Sequence, residues 1–291
     1  MKLVTFAPGA GPPRLGAIAE GAIVELAAAL AACPASMIEL LEAGAAGFDL
    51  AKRALAAGLA APAPGICHDP RAMTLLAPVP RPGKILGVGR NYGAHAAEAG
   101  LAAQEKPRIF VKLGSSVIGA GAPIPKPARV SKLDYETELA VVIGRNARDV
   151  PESDANACIA GYTILNDVSA RELQFDVSPP QTSFAKSMDA FCPMGPCLAT
   201  PDEFADLGDI RLRGWINGEL VQDGSTRDLI FPIPALIAYL SSYVTLAPGD
   251  VIATGTPAGV GAFRKPPRYL APGDVIRMEI AGIGVLENRV I

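Results

Sequence analysis

The stretch Leu133-Asp134-Tyr135-Glu136-Thr137-Glu138-Leu139-Ala140-Val141-Val142-Ile143-Gly144 constrains the chain more than any other. Its second half is a short apolar run, rich in β-branched residues, that stops at a glycine, which reads as a buried β-strand. Side chains two apart on a strand point the same way. Asp134, Glu136 and Glu138 are therefore expected on one face, with Tyr135, Thr137 and Leu139 on the other. Two carboxylates about 7 Å apart repel by about 2 kcal/mol at an effective dielectric near 20. Placed at the mouth of a buried strand, that repulsion calls for either solvent or a compensating cation.

The other bounds are broad. A chain of 291 residues can bury a sizeable core. It is 50% hydrophobic and 19% charged, as expected of a globular protein rather than a disordered one. The net charge of −3, with no basic run, argues against a nucleic-acid partner. No apolar stretch is long enough to span a membrane, and the opening Met1 to Pro8 is too short an apolar run for a signal peptide. Cys33, Cys67, Cys158, Cys192 and Cys197 are odd in number and lack a CxxC spacing, so free thiols in a reducing cytoplasm are expected.

Lys2 to Phe6 and Leu15 to Leu26 read as strands, and Leu26 to Ala32 and Ser36 to Leu59 as helices. Pro/Gly-rich breaks at Ala61 to Gly65 and Pro78 to Gly83 place a small α/β N-terminal domain over residues 1–75 and a larger one over 76–291. In the larger part, strands are expected at Lys84–Val88, Arg108–Lys112, Leu139–Ile143, Ile159–Leu165, Asp209–Ile216, Val251–Thr254 and Val275–Ile280, with one helix at Pro234–Tyr243. Asn217-Gly218 reads as a hairpin turn, and the twice-written Leu-Ala-Pro-Gly-Asp-Val-Ile (from Leu246 and Leu270) as two similar turns into strands. The fold class is β-dominated α+β. Gly87-Val88-Gly89-Arg90-Asn91-Tyr92-Gly93 mimics a dinucleotide fingerprint, but Tyr92 stands where the third glycine belongs.

Two further elements carry candidate chemistry. His95 and Glu98 lie three apart in a short Ala/Gly-flanked segment, so a helix would put them on one face. A carboxylate holding one imidazole nitrogen leaves the other free to take a proton; a plain surface ion pair is the competing reading. Ala160 to Asn166 reads as a strand running into Asp167, and Ser169 with Glu172 has capping-box spacing, which would leave Asp167 uncommitted. Three carboxylates from two strand ends make a hard oxygen site suited to Mg²⁺ or Mn²⁺ rather than zinc.

With Gly89-Arg90-Asn91-Tyr92, His95-x-x-Glu98, the Asp134 to Gly144 stretch, Asn166 to Arg171, Ala185 to Asp189 and Thr254 to Gly261 in that order, the chain resembles the fumarylacetoacetate hydrolase superfamily from about Pro82 onward. The resemblance implies a mixed β-sandwich roll, usually dimeric, beside a small N-terminal domain. It implies Mg²⁺ or Mn²⁺ on Glu136, Glu138 and Asp167, and a His95/Glu98 dyad on a lid. Lys186 is expected to act in catalysis, and Arg90, Tyr92, Arg171, Gln174 and Thr256 to bind substrate. Glu172 departs from the Asp more usual after Ala-Arg.

Substrates of the resembled proteins are 2-oxo or 2,4-dioxo acids, whose cleavage, decarboxylation or isomerisation passes through an enolate. The expected function is a metal-dependent hydrolase cleaving a C–C bond in an acylpyruvate-like or fumarylpyruvate-like acid. The alternatives are a decarboxylase of oxaloacetate-like acids, an isomerase of hydroxymuconate-type acids, or an inactive metal- and oxo-acid-binding protein. The retained His95/Glu98 pair argues against the last. Specificity is expected in Leu101–Lys106 and Phe175–Phe184, and a homodimer in the cytoplasm is expected.

Overall fold

The computed structural model describes residues 1–98 and 104–291. Its centre is the strand Thr137–Ile143, every residue of which is buried. The strand lies inside a twelve-stranded sheet, between Ile159–Asn166 and Val251–Ala253. Beyond Val251–Ala253 come Ile85–Gly89 and then the edge strand Arg108–Lys112. In the other direction Ile159–Asn166 is followed by Cys192–Ala199, Lys2–Ala7, Arg14–Ala19, Ala22–Glu25 and Cys67–His68. Val251–Ala253 runs parallel to Ile85–Gly89, and most other neighbours are antiparallel.

Both faces of this sheet are covered, which explains the near-continuous apolar run at its centre. Leu139, Val141 and Ile143 pack into a core shared with the helix Ile233–Tyr243 and with a second sheet of four strands, Glu219–Ser225, Arg211–Ile216, Val275–Ile280 and Gly284–Arg289. Ala140 and Val142 pack on the opposite side with Met37, Leu40, Leu41, Ala51 and Ala54 of the helices Met37–Glu42 and Gly44–Ala60. The first 75 residues share the large sheet: Lys2 and Leu3 pair with Ala199 and Leu198.

Several elements differ from expectation for local reasons. The expected strand Leu15–Leu26 is a hairpin, Arg14–Ala19 with Ala22–Glu25, turned at Glu20 and Gly21, both at positive φ. The helix expected over Ser36–Leu59 is two helices, broken at Gly44 (φ 57°). The strand Cys192–Ala199 escaped the sequence reading because it contains two prolines and a glycine; the register shift between Tyr162 and Ile164 accommodates it. The stretch from Leu133 is interrupted: Leu133–Asp134 pairs with Ser169–Ala170, and a separate strand begins at Thr137. The repeated turns hold. Gly249 and Gly273 both have positive φ, and Asp250 and Asp274 each accept the amide three residues back, at 2.7 and 2.9 Å. No helix among the described residues is long and apolar enough to cross a membrane.

Candidate active site

The break after Asp134 brings the acids together. Thr137 pairs with Asn166 at the end of the central ladder. Beyond that point the two segments are stitched by the Glu136 amide donating to Asn166 Oδ1 (3.2 Å) and the Asp167 amide donating to the Glu136 carbonyl (3.0 Å). Oxygens of Glu136, Glu138 and Asp167 thereby lie within 4.8 Å of one another, all three residues buried.

Protein cations offset most of this charge. Lys186 Nζ donates to Glu136 Oε2 (2.9 Å), to Ser169 Oγ (2.8 Å) and to Asp167 Oδ2. Lys112 Nζ donates to Asp167 Oδ1 at 2.7 Å. Arg171 donates from Nε to Asp134 Oδ2 (2.8 Å) and from a terminal nitrogen to Glu136 Oε1 (2.6 Å). Burial alone would raise the Glu136 carboxyl, but Lys186 and Arg171 hold it well below the usual carboxylate range. Burial works against the Lys186 ammonium, and Asp167 and Glu136 more than restore it.

Glu138 is the exception. It is 1% exposed, and among the described residues it forms no ion pair; the Gly255 amide donates to its Oε2 at 2.9 Å. Burial, then Asp167 and Glu136, push its carboxyl up. Four buried acids, with Asp134, thus face three buried cations, and the shortfall sits on a carboxylate beside two others. A hard oxygen donor set lacking one cation fits a divalent metal ion held by Glu136, Glu138 and Asp167.

Glu136 and Glu138 face a cleft whose lining also includes Arg90, His95, Arg171, Gln174, Lys186 and Thr256. His95 lies in the helix Gly93–Glu98, its ring 5.7 Å from that of Phe263. Its Nδ1 stands 3.5 Å from Glu98 Oε2 but makes no hydrogen bond, while Glu98 accepts the Gly259 amide at 3.2 Å. The dyad residues are adjacent, and Glu98 is tied to the Thr254–Gly261 loop. Residues 99–103, which include part of the expected specificity segment Leu101–Lys106, lie outside the described residues.

Several of the other expected residues have protein partners of their own. Arg171 borders the cleft, but its guanidinium is spent on Asp134, Glu136 and Gln174 Oε1 (2.8 Å), so it braces the acids. Thr256 Oγ1 accepts from Gln222 at 2.8 Å. Tyr92 is not among the cleft residues; it is buried, and its hydroxyl has no partner. Ser169 does not cap the helix Arg171–Phe175: its hydroxyl donates to the Asp167 carbonyl, and Glu172 turns away to accept the Ser131 and Lys132 amides. Asp134, expected on the acid face, instead accepts the Gly261 (2.8 Å) and Ala262 (2.9 Å) amides and anchors the turn that carries Phe263. All five cysteines are free, and burial lifts the Cys192 and Cys197 thiols to about 12, which disarms them as nucleophiles.

Sequence reasoning missed Lys112 and Asn91. Lys112 showed only as the polar end of a strand. Asn91 latches the loop behind the cleft through Thr254 O (2.9 Å) and the Phe231 backbone (3.0 and 2.8 Å).

Residues 84–291 match the family model of the fumarylacetoacetate hydrolase C-terminal domain. The chain belongs to the fumarylacetoacetate hydrolase family. The human mitochondrial oxaloacetate tautomerase FAHD2A is 42% identical over 295 residues, covering 100% of this chain and 92% of that protein. The fumarylacetoacetate hydrolase structure from Exiguobacterium antarcticum matches with TM-score 0.85 and 36% identity, covering 100% of this chain and 99% of the other. A maleylpyruvate hydrolase structure from Sphingobium sp. SYK-6, in complex with manganese(II) and pyruvate, matches with TM-score 0.81 and 33% identity at the same coverages. The family contains enzymes of differing reaction, so membership makes the acid cluster a candidate active site without selecting its chemistry.

Proposed function

We propose that this chain is a divalent-metal-dependent enzyme of 2-oxo acids, with Mg²⁺ or Mn²⁺ on Glu136, Glu138 and Asp167, and that it interconverts keto and enol forms of an oxaloacetate-like acid. The observation that carries the reading is His95 facing the same cleft as a buried acid cluster that is short of one cation. The 42% identity to a tautomerase over the whole chain supports the choice of reaction. A divalent cation there supplies Lewis acidity to the oxygens of a 2-oxo acid.

The chain's own residues supply the rest. His95 Nδ1 faces Glu98, which leaves Nε2 to take the proton from the carbon beside the carbonyl. Lys186 spends its three N–H donors on Glu136, Asp167 and Ser169 and so fixes the acid cluster beside the cleft, while His95 returns to the oxygen the proton it has taken from carbon. Phe263 and Phe175, their rings 6.1 Å apart, form an apolar part of the wall. Tautomerisation needs no attacking water, so it tolerates a histidine that Glu98 does not grip.

Hydrolysis of a 2,4-dioxo acid is the second reading. It is favoured by the 3.5 Å separation of His95 and Glu98, which a small approach would turn into a water-activating dyad. The test follows loss of oxaloacetate enol absorbance and cleavage of acetylpyruvate, each with Mg²⁺ and with chelator. Metal-dependent acceleration of the first supports the tautomerase; cleavage without tautomerisation selects the hydrolase. Metal binding with neither activity would leave a binding protein.

A further inference from the structure

The strands Ile85–Gly89 and Arg108–Lys112 pair antiparallel with Gly89 opposite Arg108. Alternation places Arg108, Phe110 and Lys112 on one face of the second strand. Two of the three, Arg108 and Phe110, line the cleft. Lys112 is buried against Asp167, Phe110 lies with its ring centroid 4.9 Å from the Lys186 ammonium, and Arg108 is exposed. The Arg108 stem passes over Gly89, where an added Cβ would meet its Cδ at 3.7 Å. The next residue, Arg90, is held in the left-handed region at φ 60° and is half-buried in the same cleft.

Two guanidiniums therefore share the mouth. Neither forms an ion pair among the described residues, and residues 99–103 (Ala-Gly-Leu-Ala-Ala) contain no carboxylate. Both side chains line the same cleft, and partial burial, then the charge of Arg108, weakens the hold of Arg90 on its proton. Like charges kept together without a partner, in a cleft where Lys112, Arg171 and Lys186 already serve Asp134, Glu136 and Asp167, are matched to an anion from solution.

We infer that Arg108, together with Arg90, determines specificity by receiving the second carboxylate of a 2-oxo dicarboxylic acid whose oxo-acid end lies at the acid cluster. The inference rests on the 2-oxo acid reading above. The strand rises about 13 Å from Arg108 to Lys112, so the two ends of such a ligand meet different residues and are separately mutable.

The test is calorimetric binding to the Mg²⁺-loaded protein of acids matched in length: 2-oxoglutarate against 2-oxopentanoate, and 2-oxoadipate against 2-oxohexanoate. The wild type is expected to prefer the diacid by at least about tenfold in one pair or both. Arg108→Ala is expected to bring that ratio within about twofold while the monoacid affinity holds, and Arg108→Lys to keep part of the preference. A wild type that binds monoacid and diacid alike, or a preference that persists in Arg108→Ala, overturns the inference alone. A wild type that binds neither overturns the 2-oxo acid reading and the inference with it. No arm depends on turnover, so missing tautomerase or hydrolase activity bears only on the reaction.

Discussion

At the scale of single residues, the Lys112 ammonium reaches Asp167 from a strand whose sequence reads as structural, and its side chain is fully buried. Removing one partner of a buried ion pair costs about 3–5 kcal/mol, because the other is left charged and dry. Lys186 still pairs with Asp167 in Lys112→Met, so that variant is expected to lose less, about 1.5–3 kcal/mol of unfolding free energy in chelator; denaturant titration measures it, and a loss under about 1 kcal/mol would mean that Lys186 alone compensates Asp167. His95 is a different case, since it touches none of the three acids through a hydrogen bond in this structure. His95→Ala is expected to keep metal affinity by calorimetry while turnover falls about 10²- to 10⁴-fold. Retained turnover in that variant would place the proton carrier elsewhere.

At the scale of elements, the Thr254–Gly261 loop and the turn after it act as a clamp around the acids. Gly255 donates to Glu138, Gly259 to Glu98, and Gly261 to Asp134. Glycine is required at the last of these by space: a Cβ there would stand 2.0 Å from the Arg268 carbonyl oxygen and 2.6 Å from Asp134 Oδ1. Gly261→Ala is expected to cost about 1–3 kcal/mol from overpacking. Because Asp134 also braces Arg171, the same variant should weaken metal binding. A thermal melt and a metal titration check both effects, and an unshifted Tm would show that the turn can move aside.

At the scale of the whole molecule, the charge shortfall at Glu138 couples folding to pH and to metal. A carboxyl raised in the folded state stabilises the native protein below the unfolded carboxylate pKa, and that contribution is lost as pH climbs through the raised value. Glu136, lowered by Lys186 and Arg171, acts in the opposite sense: its contribution is present above the unfolded pKa and lost as pH falls toward the depressed value. A divalent ion at 100 times its Kd adds about 2.7 kcal/mol to stability. The Tm gain from Mg²⁺ or Mn²⁺ is expected to be largest at neutral to mildly basic pH and to shrink on acidification, as protons compete for Glu138. In chelator, Glu138→Gln should raise Tm at neutral pH and abolish the metal gain; a metal gain that persists in this variant would remove Glu138 from the ligand set.

Local pattern was enough to locate the central strand, the edge strand Arg108–Lys112, the Asn217-Gly218 hairpin and the paired Pro-Gly turns, because period, β-branching and turn chemistry act over a few residues. Acids at the head of one strand and at the end of another were legible locally, but periodicity grouped Asp134 with Glu136 and Glu138, and the set Glu136, Glu138 and Asp167 came from the family resemblance. Tertiary structure alone decided how the charges are shared. Lys112, Lys186 and Arg171 come from separate segments, and nothing local foretells that Arg171 would be spent on Asp134 and Glu136, or that Tyr92 would be buried without lining the cleft. The strand Cys192–Ala199 was likewise invisible, since its prolines and glycine are tolerated only where a neighbouring strand shifts register. Short-range propensity could name the acids, but their partners depend on which distant segments the folded sheet places beside them.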